Sequence, residues 1–283
     1  MPDVQLRGGA LDGVRIHHVV DGRGPAVILV HGLGGFAESW HHNLAFLGRQ
    51  ATVYALDLPG FGQSSKPRIG YDLRLLADAV HGFASAVGLE RVALVGHSLG
   101  GAIAITCALV YPAMVERIAL LGAVAPGFDY RLAPAYRLVA LRGVGELLAA
   151  CMPKSVFRMA LSRCFAEPVP DEVAFLVDWS YAARTSPTGR AAYLATLRGV
   201  RADFAENDEA YRTAIRRLDV PVLAIHGVQD PVVPARHCAA VVEALQRGAV
   251  RWLDRCGHFP QIEHAQTVNA WLSEFLVGRT APR

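Results

Sequence analysis

Charge of one sign is scarce in this sequence, and so are long apolar runs. The formal net charge is only +3, from 28 Lys and Arg against 25 Asp and Glu, and no block of basic residues is present that could follow a phosphate backbone. We therefore expect no nucleic-acid partner. The most apolar stretch, residues 99–115, contains two glycines, a threonine and Pro112, and is too interrupted for a membrane span, so we expect none.

Cysteine is also infrequent. Its five copies are an odd number without a CxxC pair, which excludes full disulfide pairing within the chain and favours a reducing compartment. Residues 1–7 lack the basic and apolar stretches of a secretory signal. The 11 histidines show neither HxxxH nor HExxH spacing. These observations predict a cytoplasmic protein without a metal site.

The pattern of apolar residues divides the chain into a core and an insertion. Short apolar runs alternate with amphipathic stretches through residues 1–125 and again through 218–283, as in the βαβ units of a parallel sheet. Residues 126–217 contain helical patterns and no convincing buried strand. The sequence therefore predicts an α/β core, residues 1–125 and 218–283, interrupted by a helical insertion, residues 126–217.

Individual elements follow from the same periodicities. Weak alternation over residues 4–20, around Asp12-Gly13, predicts an antiparallel pair with a two-residue turn. Buried strands are predicted at residues 26–30, 52–58, 91–96, 117–123, 221–226 and 250–253. Helices are predicted at residues 38–50, 71–87, 99–110, 234–246 and 265–276.

A G-x-S-x-G sequence, Gly96 to Gly100, lies between a predicted buried strand and a predicted helix. In this context the sequence is typical of a nucleophile elbow, which pushes the serine hydroxyl out above the sheet. The glycines two residues before and after Ser98 avoid collisions with neighbouring backbone. The alternative is a purely structural role, in which Ser98 is only a helix N-cap in a glycine-rich turn. The flanking elements favour Ser98 as a nucleophile.

A glycine-rich loop follows the first buried strand and is a candidate oxyanion hole. Gly32 and Gly34 flank Leu33 there, and glycine allows the chain to turn its amides inward. One donor in such sites is the amide after the nucleophile, here Leu99, and the other comes from the earlier loop, where Leu33 is the matching position.

The acid and the base are chosen by their positions after strands. Asp230 follows the predicted strand 221–226, and His258 follows the last predicted strand. The carboxyl ends of parallel strands share one edge of a sheet, so both side chains are expected near Ser98. We therefore predict a Ser98–His258–Asp230 triad, with Asp230 orienting the imidazole that accepts the serine proton.

Other histidines fit the role of base less well. His41 and His42 are adjacent on a predicted helix, so at most one should face inward. His226 ends a strand and is more typical of a hydrogen-bonded core residue. His97 neighbours Ser98 but is expected to point away from it.

These motifs together resemble the α/β-hydrolase superfamily, over about residues 10–278. They match its serine esterase, lactonase and carbon–carbon hydrolase branches best. The resemblance implies a mostly parallel eight-stranded sheet flanked by helices, with a helical cap near residues 126–217 over the active site. The matching segments are His31-Gly32 to Trp40, Asp57 to Ser64, Gly96 to Gly101, Asp230-Pro231 and Gly257-His258.

Some branches of the superfamily usually carry other residues than this chain at or beside the catalytic positions. Dehalogenases and most epoxide hydrolases carry an aspartate where this chain has Ser98. Ring-cleavage carbon–carbon hydrolases usually have Asn and Trp where this chain has His97 and Phe259, which counts against that branch without closing it. A perhydrolase side activity, a non-hydrolytic binding or receptor role and lyase chemistry also stay open.

The sequence favours a carboxylesterase-like serine hydrolase that forms an acyl-enzyme and needs no cofactor. Its substrate is expected to be a small to medium, largely apolar ester. A homodimer is compatible with the sequence, which leaves the oligomeric state open. Aromatic residues of the insertion could line the pocket or form its own core: Phe128, Tyr130, Tyr136, Phe157, Phe165, Trp179 and Tyr181. Three arginines could hold a substrate carboxylate, although a solvated face is the simpler interpretation: Arg131, Arg158 and Arg184.

Overall fold

The computed structural model describes residues 3–130 and 134–277, and Arg131 therefore lies outside the described residues. Its main feature is a sheet whose strands run in the order β3-β5-β4-β6-β7-β8-β9, with only β3 antiparallel to its neighbour. The α/β fold class is confirmed. The strands are β1 (Val4–Gln5), β2 (Arg15–Ile16), β3 (His18–Asp21), β4 (Ala26–Val30), β5 (Thr52–Leu56), β6 (Val92–His97), β7 (Val115–Leu121), β8 (Val222–Gly227) and β9 (Gly248–Leu253).

The sheet holds seven strands within the described residues, one fewer than the eight expected, and the first two strands of the chain form a separate pair. Val4 pairs with Ile16 in this antiparallel pair, as predicted. The prediction of a two-residue turn at Asp12-Gly13 is wrong, because the two strands are joined by a longer connection that contains a short 3-10 helix, Gly9–Leu11. The local Asp-Gly signal marks a bend within that connection, where Gly13 has a φ of 74°.

In the part of the chain that the structure describes, six helices belong to the sequence stretches before and after the insertion. Their bounds are α1 (His41–Leu47), α2 (Leu73–Ala86), α3 (Leu99–Val110), α9 (Ala235–Ala244), α10 (Pro260–Glu263) and α11 (Ala265–Val277). The predicted helix 38–50 is shorter than expected and is preceded by a 3-10 turn, Ala37–Trp40. Helix α2 begins where the Asp72 side chain accepts a hydrogen bond from the Leu75 amide at 2.7 Å.

Burial explains why the strands could be located from sequence. Every residue of β6 and β8 is buried, as is typical of central parallel strands covered by helices on both faces. One core cluster packs α2 and α3 against one face of the sheet, and another packs α1 and α11 against the opposite face. Because β4, β6 and β8 run parallel, their carboxyl ends lie at one edge of the sheet, above which the candidate site lies.

The stretch between β7 and β8 is helical throughout its described secondary structure. Its helices are α4 (Pro134–Ala140), α5 (Val144–Cys151), α6 (Lys154–Ser162), α7 (Pro170–Thr185) and α8 (Pro187–Ile215). A cluster of its own, including Phe157, Phe165 and Val177, packs on Phe36 of the core. Its role as a cap with bounds 126–217 stays a prediction. Across the described residues, no helix combines the length and apolar character needed to cross a bilayer.

Candidate active site

Ser98 occupies a strained turn between β6 and α3. Its φ of 53° and ψ of −119° place a non-glycine residue in the sparsely populated positive-φ half of the Ramachandran map, as a nucleophile elbow requires. The two flanking glycines are needed for steric reasons. A Cβ at Gly96 would overlap the carbonyl oxygen of Gly100, and one at Gly100 would overlap that of Val30.

A chain of hydrogen bonds joins the three residues predicted as a triad. His258 Nε2 lies 3.0 Å from Ser98 Oγ, and His258 Nδ1 lies 2.9 Å from Asp230 Oδ2. The other carboxylate oxygen of Asp230 accepts the amides of Val232 at 2.8 Å and Val233 at 2.9 Å. The carboxylate is thereby fixed in orientation, and the imidazole is held with Nε2 directed at the serine hydroxyl.

Electrostatics keep Asp230 ionised although it is buried. Burial by itself raises the pKa of Asp230, but the neighbouring His258 and the Val233 amide outweigh it and bring the pKa below its usual value. His226 lies 3.7 Å from the same carboxylate, yet its Nε2 is 2.9 Å from the Val233 carbonyl oxygen. His226 thus has the hydrogen-bonded core position that the sequence suggested.

Leu33 and Leu99, the predicted oxyanion donors, both line the cavity onto which Ser98 opens. Leu99 is the first residue of α3, so its amide has no carbonyl partner within the helix. Gly34 has a φ of 77°, and a Cβ on Gly32 would come within 2.9 Å of the Ser98 Cβ. The glycines thus let the loop approach the serine closely.

His31 anchors this loop in a way that the sequence did not reveal. Its Nδ1 donates to the Gly32 carbonyl oxygen at 2.7 Å, and its Nε2 accepts the Leu58 amide at 3.1 Å. Burial lowers the pKa of His31 to about 4, so the ring stays neutral and holds this tautomer.

Asp57 is a second residue whose role sequence reasoning missed. Its carboxylate accepts the Ala37 amide at 2.7 Å and the Gln63 amide at 2.6 Å, joining the chain after the oxyanion loop to the loop after β5. Burial raises the pKa of Asp57 to about 6. The sequence signal for Asp57 was its place in the stretch Asp57 to Ser64, which is part of the family resemblance.

His97 contacts the backbone of His258 rather than the Ser98 hydroxyl, with His97 Nε2 2.8 Å from the carbonyl oxygen. Its ring also lies beside Phe259, with centroids 5.1 Å apart. The sequence had correctly separated His97 from the serine hydroxyl but gave no sign of this link to the base.

The cavity above Ser98 measures about 900 Å³ and lies between the core and the helical stretch. Of the aromatic residues named from sequence, Phe128, Tyr130, Tyr136 and Phe157 line it. Phe165, Trp179 and Tyr181 belong to the packed cluster of the helical stretch. Arg184 lines the cavity, whereas Arg158 is exposed on α6. The cavity wall is thus aromatic, and it also contains four arginines and two aspartates: Arg137, Arg184, Arg201, Arg212, Asp129 and Asp208.

Comparison with known proteins agrees with this fold. Residues 27–271 match the family described as the alpha/beta hydrolase family, and the chain belongs to that family. An uncharacterised protein of Mycobacterium tuberculosis is 31% identical over 275 residues, covering 92% of this chain and 76% of that protein.

Relatives with named activities are also similar. The 2-hydroxy-6-oxo-6-(2'-aminophenyl)hexa-2,4-dienoic acid hydrolase of Metapseudomonas resinovorans is 28% identical over 271 residues, covering 92% of this chain and 87% of that enzyme. The solved structure of 2-hydroxy-6-oxo-6-phenylhexa-2,4-dienoate hydrolase from Rhodococcus sp. strain RHA1 superposes with a TM-score of 0.81. It is 26% identical and covers 96% of this chain and 97% of that one.

Proposed function

We propose that this hydrolase cleaves a carboxylic ester through a serine nucleophile and an acyl-enzyme. The observation that carries the proposal is the hydrogen-bonded series Ser98–His258–Asp230, whose serine end opens onto the cavity. A serine needs an adjacent base to become nucleophilic at neutral pH, and His258 is the base within hydrogen-bond distance.

The reaction proceeds in two steps. Ser98 Oγ attacks the substrate carbonyl carbon while His258 Nε2 accepts the hydroxyl proton, and the Leu33 and Leu99 amides donate to the oxyanion. His258 then protonates the leaving alcohol. A water molecule, deprotonated by the same imidazole, attacks the acyl carbon, and the acid product leaves as Ser98 recovers its proton.

The cavity wall supports an apolar substrate of small to medium size. Phe128, Tyr130, Tyr136 and Phe157 contribute aromatic surface, and Leu161 and Leu176 add aliphatic surface. Burial of apolar acyl carbons against such a wall contributes about 25 cal/mol per Å² of contact. Activity should therefore rise with acyl length until the cavity is filled.

A panel of p-nitrophenyl esters, from acetate to laurate, tests this proposal. The wild type should turn over the shorter members, while Ser98→Ala should lose about 10⁴-fold or more in kcat with its fold intact. Wild-type turnover no faster than that of Ser98→Ala on every ester would refute ester hydrolysis.

Carbon–carbon bond hydrolysis is a second candidate, favoured by the names of the relatives and by Arg184. The guanidinium lies 4.0 Å from the centroid of the Tyr193 ring and 4.9 Å from that of Phe157, which holds it in the cavity wall. A cation there could pair with a carboxylate of a ring-cleavage product.

An assay on 2-hydroxy-6-oxo-6-phenylhexa-2,4-dienoate decides between the two candidates. If this class is the substrate, Arg184→Met should raise KM about tenfold or more, whereas Arg158→Met, on the exposed face of α6, should not. Absence of dienoate turnover beside rapid ester turnover would exclude the second candidate.

A further inference from the structure

Two histidines of the core and one glutamate of the helical stretch converge outside the cavity. His41 and His42 begin α1, and Glu172 lies in the first turn of α7. His42 Nε2 is 2.8 Å from Glu172 Oε1, and His41 Nε2 is 3.3 Å from Glu172 Oε2. One ligand atom from each residue lies within 4.8 Å of the other two. Both histidines are exposed at the surface, which agrees with the expectation that at most one faces inward, and both contact Glu172 of α7.

The hydrogen bonding of His41 prepares it as a metal ligand. Its Nδ1 lies 3.1 Å from the Glu38 carbonyl oxygen, which only accepts, so the proton of the neutral ring is on Nδ1. The lone pair on Nε2 is then directed at Glu172. A histidine that binds a metal through one ring nitrogen usually donates a hydrogen bond from the other, for example to a backbone carbonyl oxygen, and this bond orients the ring.

The carboxylate of Glu172 has one oxygen without a hydrogen-bond donor in the described part of the chain, and this oxygen faces His41. Within the described residues, Glu172 Oε2 is a buried atom without a hydrogen-bond donor, and its contact with His41 lacks hydrogen-bond geometry. A lone pair on Nε2 and a carboxylate oxygen 3.3 Å apart repel each other unless a proton or a metal ion lies between them. Phe175 packs edge-on against the His41 ring at 4.8 Å and restricts its rotation away from this contact.

We propose that His41, His42 and Glu172 bind a divalent transition-metal ion such as Zn²⁺. Two imidazole nitrogens and one carboxylate oxygen are a donor set that zinc accepts, with water as the fourth ligand. Donor atoms about 2.0–2.2 Å from a zinc ion lie roughly 3–3.6 Å from one another. The two nitrogen–oxygen contacts here are 2.8 and 3.3 Å, and all three ligand atoms lie within 4.8 Å of one another. The three side chains are between 22% and 38% exposed, so an ion can reach them from solvent.

The ion would join the core to the helix that lines the cavity. Leu176, Ser180 and Arg184 follow Glu172 at four-residue spacing along α7, and all three line the cavity. A metal bond at Glu172 would hold the start of this helix against α1. The site would therefore favour one position of the helix that forms part of the cavity wall.

Isothermal titration of the tag-free full chain with ZnCl₂ tests the site. The titrations use the Ser98→Ala background, so that zinc inhibition of hydrolysis plays no part. We expect one ion per chain, a rise in Tm with zinc, and at least tenfold weaker binding in Glu172→Gln and in His41→Ala/His42→Ala. His81→Gln, a partly exposed histidine stacked on Tyr111, is the matched control and should bind as the parent does.

Three results would count against the proposal. One is a dissociation constant for zinc weaker than about 1 mM in the parent, which would leave a proton-mediated contact between His42 and Glu172 as the whole interaction. Another is binding that persists unchanged in Glu172→Gln, an isosteric variant whose Tm without metal shows whether it is folded. Equal loss in His81→Gln would count against the site in the same way.

Discussion

The His97 imidazole donates a hydrogen bond from Nε2 to the backbone carbonyl oxygen of His258, across 2.8 Å. Burial, with a smaller contribution from the neighbouring His258, lowers the pKa of His97 to about 3, so the ring is neutral. Since His97 ends β6 immediately before Ser98, this bond joins the strand that carries the serine to the loop that carries the imidazole.

Replacement of His97 tests whether this bond positions the base. His97→Leu should lower kcat about 10–100-fold with little change in KM, because an unpaired buried carbonyl disturbs the His258 loop by about 1–3 kcal/mol. His97→Gln places an amide N–H near the former Nε2 and should restore kcat to within about tenfold of wild type. Equal kcat values for His97→Leu and the wild type would show that the bond is irrelevant to catalysis.

Asp230→Asn should reduce kcat by about 10³–10⁴-fold while the protein stays folded, because an amide cannot hold His258 in the required tautomer. The matched control is Asp254→Asn, at an exposed aspartate on the loop after β9. Steady-state kinetics on the best ester of the panel measure both variants. A loss confined to KM, or the same loss in Asp254→Asn, would remove Asp230 from its predicted role.

Gly100→Ala should destabilise the protein by about 1–3 kcal/mol or more, because the new methyl group would overlap the Val30 carbonyl oxygen of the central sheet. Gly70→Ala provides the control, since a Cβ there meets nothing within 4 Å. Urea unfolding of both variants gives the difference in free energy of unfolding. Equal stability of the two variants would contradict the close packing of the elbow.

Stability should fall as the pH drops below about 6.5. Burial lowers the pKa of His31 to about 4, of His97 to about 3 and of His237 to about 4. Below pH 6.5 the unfolded chain binds protons at these residues while the folded chain does not, so acid favours unfolding until the folded pKa values are reached. Each residue should contribute about 1–2 kcal/mol of this loss between pH 7 and pH 5.

Asp57 opposes this trend. Burial raises its pKa to about 6, so the folded chain binds the extra proton between pH 6 and the usual carboxyl range, and acid stabilises it there. Three histidines outweigh one carboxyl, and the free energy of unfolding should decrease overall between pH 7 and pH 5. His97→Gln should reduce that decrease. A free energy of unfolding that stays level or increases toward pH 5 would contradict the neutral state of these histidines.

The strands were predictable because burial on both faces leaves a plain apolar run, as in β4, whose observed bounds match the prediction. Helix α3 was located to the residue because Gly100 and Tyr111-Pro112 mark its ends in the sequence. The N-terminal turn was wrong because an Asp-Gly pair is a local signal, and the longer connection depends on packing of Leu6 and Leu11 into the core.

Contacts between distant segments explain what could not be predicted. Ser98 and His258 are 160 residues apart, and they were paired only through the rule that parallel strands end at one edge of the sheet. No such rule connects His42 with Glu172, 130 residues away on the helical stretch. The anchoring roles of His31 and Asp57 likewise depend on hydrogen bonds to backbone N–H and C=O groups, which leave no mark in the side-chain sequence.

Labelling with a small fluorophosphonate probe, followed by peptide mapping, shows whether Ser98 is an activated nucleophile. We expect an adduct on Ser98 in the wild type, none in Ser98→Ala, and undiminished labelling in Ser180→Ala, a second serine in the cavity wall. A wild-type protein that stays unlabelled, or a Ser98→Ala variant that still labels, would mean that Ser98 is not the activated serine and would favour a binding role or another nucleophile.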